Sequence, residues 1–247
     1  ISSNKIGLIM CGRFSLSSNS HNSFVGFLDM EQSFAVPNRF NIAPSQPIAV
    51  LRLQGSDQDR AIIPGSPLPP IEGTLMRWGL IPHFFKEINN ERPLINARSE
   101  TIADKPSFRN SFRRRKCLVA ADGFYEWKRG GASPVPYYIS LLDRTPFTFA
   151  AIWEGWAGPA GEDWIETVSL VTKPANGIVK KIHHRSPVII APEDYGLWLR
   201  PSDPPDRGIF SKLSVDLDHK LCVHEVSPYV NHTGHDGEQC IKPVKTD

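Results

Sequence analysis

The sequence predicts an α+β fold, a single domain with a mixed, curved, partly barrel-like β-sheet core and peripheral helices. Its 247 residues are 40% hydrophobic and 22% charged, a globular composition that excludes a disordered chain. Proline occupies 22 positions, and a proline inside a helix removes a hydrogen-bond donor, so a bundle of long helices is disfavoured. Short β-branched and aromatic runs, most of them bounded by Gly, Pro, Asn or Asp, recur along the chain and favour strands.

Nine such runs have the length of a strand, and several alternate with period two or are continuously apolar. In chain order they are CGRFSL (11–16), PIAVLRL (47–53), GTLMRWGL (73–80), KCLVAADGFYEW (116–127), PYYISLL (136–142), FTFAAIWEGW (147–156), IETVSLVT (165–172), SPVIIA (186–191) and LCVHEVS (221–227). Their number predicts that a sheet, rather than packed helices, forms the core.

Helices are predicted at about 21–33, 106–113, 174–181 and 192–199. The last begins at Pro192 and has two acidic residues in its first turn, which is typical of a helix start. The proline-rich stretch 62–73 is interpreted as a surface loop in polyproline conformation, because strand-like segments flank it on both sides. One domain is therefore expected.

Charge and cysteine usage narrow the classes of function. Lys and Arg total 28 and Asp and Glu total 26, a formal net charge of +2, so nucleic-acid binding would need a local basic surface. No apolar run approaches the roughly 18 residues of a membrane span. The four cysteines, at 11, 117, 222 and 240, are too scattered for a disulfide scaffold. Cys117, in the apolar run CLVAA, is predicted to be a buried thiol in a reducing compartment.

Cys11 follows Met10 and precedes the small Gly12. If translation begins at Met10 and that methionine is removed, Cys11 becomes the first residue, with an α-amine of unperturbed pKa about 7.7–8.0 beside a thiol near 8.5. Such an amine condenses with an aldehyde to an imine, and the tethered thiol then closes a five-membered thiazolidine on the same carbon. The alternative is a strand cysteine buried against the core.

Four segments carry polar residues inside otherwise apolar, strand-like stretches. They are RFNIAPSQ (39–46), NARSET (96–101), DGFYEWK (122–128) and IHHRSP (182–187). Glu126 is flanked by aromatic residues, and desolvation there raises a carboxyl pKa into the range useful for proton transfer. His183 or His184 could titrate near neutrality. The alternatives are a Glu126 that faces solvent and histidines that cap an element or lie on the surface.

In these residues the chain resembles the SRAP family (SOS-response-associated peptidases, or abasic-site processing proteins). The matching segments are MCGRF (10–14), NIAPSQ (41–46), MRWGLIP (76–82), NARSET (96–101), ADGFYEW (121–127), IHHRSP (182–187) and VSPYVN (226–231). They occur in order over about residues 10–245, nearly the whole chain, which makes the resemblance specific.

The resemblance implies the SRAP fold and a function. Members bind single-stranded DNA that contains an abasic site, and their N-terminal cysteine forms a covalent thiazolidine with the open-chain sugar aldehyde. Carried over, Cys11 is the nucleophile, Asn96 hydrogen-bonds the adduct, Glu126 shuttles protons, and His183 assists sugar ring opening and crosslink reversal. The imine chemistry implies weak lyase activity, and some members remove the residues ahead of the cysteine, hence the peptidase name. No cofactor and no metal are implied.

Abasic DNA offers an aldehyde and no base, so its site needs phosphate anchors and apolar surfaces beside the amine. The residues expected to bind DNA, all inside matched segments, are Arg13, Asn41, Pro44, Arg77, Trp78, Arg98 and Arg185. The arginines would neutralise phosphates, and Pro44 and Trp78 would stack on neighbouring bases or wedge them apart, whereas Trp127 could be core. The basic run RNSFRRRK (109–116) either extends this DNA path or is a solvated loop.

The expected partner is single-stranded DNA with abasic sites, bound by a monomer that does not associate with a membrane. The expected location is cytoplasmic and nucleoid-associated in a bacterium, or nuclear in a eukaryote.

The chain departs from the family pattern in two places. Residues 1–9 precede Met10, and while they are attached the Cys11 nitrogen is an amide that cannot form an imine. We interpret 1–9 as an upstream extension, a tag or a pro-segment, and 10–247 as the SRAP domain. Ser186 stands where the family usually has Met, and HTGHDG (232–237) replaces a segment that more often has Asn and Arg, which puts a DNA contact there in doubt.

Three other functions stay open at this point. A thiol peptidase acting in trans would use Cys11, His183 and Glu126 and would hydrolyse peptides. A metal site would draw on Cys222, His224, His232, His235 and Cys240. These residue types bind zinc, but their spacing does not match the usual finger patterns. A non-catalytic nucleic-acid-binding protein would keep its function after replacement of Cys11 by alanine.

Overall fold

The computed structural model describes residues 11–17, 36–55, 66–90, 92–161, 163–213 and 218–244. The helix predicted at about 21–33 and the first residues of the proline-rich stretch 62–73 lie outside the described residues. Within them the structure is α+β and dominated by strands, as the sequence predicts.

Thirteen strands are present in the described part of the chain. They are β1 (Phe14–Leu16), β2 (Arg39–Ile42), β3 (Pro47–Leu53), β4 (Ile71–Trp78), β5 (Asn96–Arg98), β6 (Lys116–Ala121), β7 (Gly123–Lys128), β8 (Val135–Leu141), β9 (Phe147–Trp156), β10 (Ile165–Pro174), β11 (Arg185–Pro187), β12 (Ile189–Ile190) and β13 (Leu221–Glu225). All nine predicted runs contain strands, and the run 116–127 divides at Asp122 into β6 and β7.

The described helices are short and peripheral. The α-helices are α1 (Pro106–Arg114), α2 (Tyr195–Leu199) and α3 (Ile209–Lys212), with 3-10 turns at Val179–Lys181, Pro192–Asp194, Asp218–Lys220, Pro228–Asn231 and Glu238–Cys240. The predicted helices at 106–113 and 192–199 are confirmed. The helix predicted at 174–181 is wrong, because β10 continues to Pro174 and Gly177 has a φ of +48°, which interrupts a right-handed helix.

One sheet closes into a ring, which confirms the barrel-like prediction. β10 pairs in parallel with β4, and the path continues through antiparallel neighbours β3, β6 and β9 until β9 returns to β10. In the second half of β10, Thr172 lies opposite both Arg98 of β5 and Pro187 of β11. The segments NARSET and IHHRSP therefore flank the same stretch of β10.

The second sheet has the antiparallel order β13-β8-β7-β1-β2. The core lies between the two sheets, where Phe14 of β1 and Phe124 of β7 both contact Phe149 of β9 edge to face. Cys117 on β6 is fully buried, as predicted. No helix in the described ranges is long and apolar enough to cross a bilayer.

Candidate active site

The pairing of β1 with β7 brings Cys11 to Glu126. Phe14 lies opposite Phe124, and the Tyr125 backbone N–H donates to the Arg13 carbonyl at 3.0 Å. Just before β1, the backbone nitrogen of Cys11 donates to Oε1 of Glu126 at 2.9 Å. The two residues are 115 positions apart in sequence, so the pairing of β1 with β7, and not proximity along the chain, brings them together.

The Glu126 carboxyl is buried, with 2% of the residue exposed. Burial raises its pKa to about 8, although backbone hydrogen bonds from Cys11 and Trp127 act in the opposite direction. A carboxyl in this state is mostly protonated at neutral pH and suits general acid–base catalysis there. The prediction of a desolvated Glu126 is confirmed, and the alternative of a solvent-facing carboxylate is wrong.

His183 supplies the third side chain. Its backbone N–H donates to Val179 at 2.9 Å, which fixes the turn before β11, and its Nδ1 lies 3.7 Å from Oε1 of Glu126. Burial lowers the pKa of His183, with further lowering from the nearby charges of His184, Arg129 and Arg185. A neutral imidazole therefore faces a neutral carboxyl.

The Cys11 thiol is also fully buried, and burial, assisted by the charge of Glu126, raises its pKa well above the ordinary value. The sulfur is consequently held as a thiol at neutral pH, and it needs a partner that accepts its proton when it reacts. Cys11 also has a φ of +39°, an unfavourable conformation for a residue with a side chain.

Asn96 begins β5 and lies opposite Leu170 of β10. The same segment continues to Arg98, which is exposed, and to Glu100, which forms an ion pair with Arg185 just after His183. The structure therefore joins the Asn96 segment to the His183 segment across β10.

Arg185 and Asn41, both predicted to bind DNA, have internal partners instead. Arg185 is 5% exposed and donates to Glu100 and Thr172. Asn41 is fully buried, and its amide donates to three carbonyl oxygens of the segment 230–235, while its Oδ1 accepts from Arg13. Their positions correct the sequence prediction, because neither polar group is presented to a ligand.

The position of Trp78 contradicts the prediction that its ring stacks on a base. It is 0% exposed, its indole N–H donates to the Ile95 carbonyl at 3.1 Å, and its ring contacts Phe14, so it cannot stack on a base. Its neighbour Arg77 is partly exposed and donates to Ser45 and Asn90.

Pro44 is partly exposed, beside the exposed Ser45 that accepts from Arg77. Trp127 is partly exposed as well, and its indole N–H donates to Asn231 at 2.8 Å.

Phe84 is not among the residues predicted from the sequence, yet its ring is at the surface, with 51% of the residue exposed. It borders an open cavity of about 510 Å³, lined by His83, Phe84, Pro106, Arg109, Asn110 and Arg113. The available signal was the aromatic pair in WGLIPHFF, which follows Pro82 and lies outside any strand. The cavity also involves the basic run 109–116, which the structure divides between α1 and the start of β6.

Side chains considered as ligands of the alternative metal site contact backbone carbonyl groups instead. His224 Nε2 lies 2.8 Å from the Ile241 carbonyl, His235 Nδ1 lies 2.7 Å from the Tyr229 carbonyl, and the Cys240 thiol donates to the His235 carbonyl. Within the described ranges, no group of three or more His, Cys, Asp or Glu residues has an arrangement that could hold a metal ion.

The chain is similar to known proteins in sequence and in fold. Residues 10–233 match the model of the family described as SOS response associated peptidase (SRAP). Two similar proteins of Bacillus subtilis are the abasic site processing proteins YoqW, 31% identical over 94% of this chain and 99% of its own length, and YoaM, 34% identical over 90% of this chain and 93% of its own length.

A crystal structure of a protein from Bacteroides thetaiotaomicron shares the fold, with a TM-score of 0.75. The match covers 95% of this chain and 100% of that protein at 22% identity.

Proposed function

The chain belongs to the SOS response associated peptidase family, and from this premise we propose that it processes abasic sites in DNA by covalent capture. The observation that carries the proposal is the 2.9 Å contact between the backbone nitrogen of Cys11 and the buried carboxyl of Glu126. A nucleophile at that nitrogen would have a proton donor and acceptor beside it.

The first step is condensation. The free amine of Cys11 attacks C1′ of the open-chain sugar, Glu126 protonates the aldehyde oxygen, and loss of one water leaves an imine. Burial favours the neutral, nucleophilic form of an amine at this position. The raised pKa of Glu126 supports its role as the proton donor.

The second step closes the ring. The Cys11 sulfur adds to the imine carbon, the thiol proton leaves the sulfur, and the imine nitrogen gains a proton, which gives a thiazolidine without an external oxidant or reductant. Because burial keeps the sulfur protonated, this step needs a proton carrier. Glu126, whose Oε1 contacts the Cys11 nitrogen at 2.9 Å and lies 3.7 Å from Nδ1 of His183, would carry the proton together with that histidine. The imine also permits slow β-elimination, a weak lyase side reaction.

His183 and Asn96 complete the proposed site. His183 is neutral and can accept a proton during sugar ring opening and during reversal of the crosslink. Asn96 would hydrogen-bond the sugar-derived adduct from β5.

The proposed DNA surface combines predicted residues with the cavity beside α1. Arg77 and Arg98 would contact phosphates, and Pro44 would support a base next to the lesion. Phe84 takes over the stacking role predicted for Trp78, since its ring is exposed beside Arg109. Arg13, whose guanidinium donates to Asn41 and to the carbonyls of 230 and 231, would contribute a further positive charge to DNA binding.

We propose that 1–9 lie outside the domain 10–247, and the chemistry requires that Met10 also be removed so that Cys11 is the first residue of the active protein. Removal of the preceding residues by the chain itself is a second candidate activity, favoured by the φ of +39° at Cys11. That backbone angle exists only while a peptide bond precedes Cys11, and its cleavage releases the strain.

A denaturing gel tests the proposal. Protein whose first residue is verified as Cys11 is mixed with single-stranded DNA that contains one abasic site. A slower-migrating adduct is expected, which Cys11→Ala and a protein that keeps residues ahead of Cys11 do not form. Binding without an adduct would favour the non-catalytic alternative, and hydrolysis of added peptides would favour the peptidase acting in trans.

A further inference from the structure

An ion pair between the buried Arg185 and the exposed Glu100 joins the two segments that flank β10. The Arg185 guanidinium donates through both terminal nitrogens to the Glu100 carboxylate, the second contact at 2.9 Å. It also donates to the Thr172 carbonyl at 2.7 Å. A guanidinium taken out of water needs such partners, and removal of the carboxylate would leave its charge uncompensated.

The backbone of Arg185 sets the orientation of the His183 ring. Nδ1 of His183 lies 3.2 Å from the Arg185 nitrogen and 3.3 Å from the Arg185 carbonyl oxygen. The same Nδ1 faces Oε1 of Glu126. A displacement of Arg185 would therefore move the imidazole relative to its proton partner.

Backbone hydrogen bonds fix the chain on either side of Glu100. The backbone N–H of Ser99 donates to the Thr172 carbonyl at 2.9 Å, and the Thr101 N–H donates to the Arg98 carbonyl at 3.0 Å. The hydrogen bond from Arg185 lowers the pKa of Glu100 to about 2, so the carboxylate is charged at neutral pH. The turn that carries it continues directly from β5 and Asn96.

We propose that Glu100 is a positioning residue which, through Arg185, holds the His183 imidazole against Glu126 and keeps the Asn96 segment aligned with it. The consequence for reaction rate rests on the proposed function, whereas the consequence for the His183 ring does not. This role replaces the phosphate contact that the sequence predicts for Arg185.

The first test observes the ring without DNA. NMR spectra of the imidazole nitrogens are compared for the wild type, Glu100→Gln and a matched control, Asp104→Asn, which removes the charge of an exposed Asp104–Arg207 ion pair close by in the same chain segment. A single neutral tautomer of His183 is expected in the wild type and in the control. Mixed tautomers or broadened signals are expected in Glu100→Gln.

The second test uses the reaction. Glu100→Gln is expected to slow crosslinking by about 10-fold, because a displaced imidazole loses only part of a general acid–base contribution that is typically about 10²–10⁴-fold. In a His183→Ala background the same substitution is expected to add less than about 2-fold, because residues that act through one group are not additive. Glu100→Asp, which keeps the charge, should recover part of the rate and serves if Glu100→Gln does not fold.

Three results would overturn the inference. These are an unchanged His183 signal in Glu100→Gln, an equal loss of rate in both backgrounds, or tighter binding of undamaged single strands with an unchanged rate, which would assign Arg185 to phosphates. A wild type that forms no crosslink contradicts the proposed function instead, and the NMR comparison then decides the role of Glu100 by itself.

Discussion

Nδ1 of His183 lies 3.7 Å from Oε1 of Glu126, and burial moves both groups toward their neutral forms. A carboxylate–imidazolium ion pair would show the opposite shifts, with the pKa of the acid lowered and that of the base raised. The two groups are therefore a proton donor facing a proton acceptor. The Cys11 nitrogen contacts the same carboxyl oxygen, so Glu126 and His183 are placed to move protons to and from a nucleophile at that nitrogen.

The rate of crosslinking is expected to fall above about pH 8, because Glu126 then loses the proton that it donates to the aldehyde oxygen. Glu126→Gln cannot titrate, so it should lose this high-pH decline and react about 100-fold more slowly at neutral pH. Single-turnover rates from pH 5.5 to 9.5 measure both effects. A wild-type rate that keeps rising beyond pH 9 would contradict the assignment.

The same group makes stability depend on pH. The pKa of Glu126 is higher in the folded state than in the unfolded state. Between these two pKa values the folded protein keeps a proton on Glu126 that the unfolded chain loses. The free energy of unfolding therefore decreases as the pH rises from the unfolded-state pKa to the folded-state pKa. Glu126→Gln has no such dependence, so its free energy of unfolding relative to the wild type should increase by on the order of 2–5 kcal/mol between about pH 4.5 and 8.5. Urea unfolding of both proteins at both pH values measures this difference. The same change of unfolding free energy with pH in the wild type and in Glu126→Gln would show that the carboxyl is not desolvated.

Alanine substitutions at Phe84 and at Trp78 are expected to affect different properties, the first DNA binding and the second stability. Phe84→Ala is expected to weaken single-strand binding by about 1–3 kcal/mol while leaving stability unchanged, because one exposed stacking face is lost. Trp78→Ala is expected to cost about 3–5 kcal/mol of stability, because a buried ring is removed from the core. Leu75→Ala, at an exposed apolar position on β4, is the control. Fluorescence anisotropy and thermal unfolding separate the effects, and unaltered affinity in Phe84→Ala would exclude that surface.

Asn41→Ala is expected to destabilise the C-terminal segment. The carbonyls of Val230, His232 and His235 lose their shared amide donor, at a cost of about 2–4 kcal/mol in all. Hydrogen exchange of residues 229–241 should accelerate. Loss of DNA binding with undiminished protection of that segment would return Asn41 to the DNA surface.

Much of the fold is predictable because strands are encoded locally. The run FTFAAIWEGW forms β9 with the predicted bounds, and PIAVLRL forms β3. The short β5 is not predicted as a strand, since three residues carry too little alternation and β5 forms by pairing with β10. The helix predicted at 174–181 fails because Asn176 and Gly177 end regular structure there, and their effect outweighs the apolar spacing of the segment.

The chemistry of the site is easier to predict than its surface. The aromatic neighbours of Glu126 in the chain are enough to indicate that its carboxyl is desolvated. Whether Trp78 faces solvent depends on which side of β4 meets the second sheet, and that is settled only when the sheets pack and its ring contacts Phe14. Phe84 lies in the turn after β4, where no strand pattern indicates which side chains are exposed. The inward turn of Arg185 likewise depends on Glu100, 85 residues away.

The proposed linkage joins both the Cys11 amine and the Cys11 sulfur to C1′ of the abasic sugar. Intact-mass and peptide-level mass spectrometry of the adduct test it directly. The expected mass is one water below the sum of protein and DNA, with the modification on Cys11 alone. An adduct on any lysine, or none with Cys11 verified as the first residue, would contradict it.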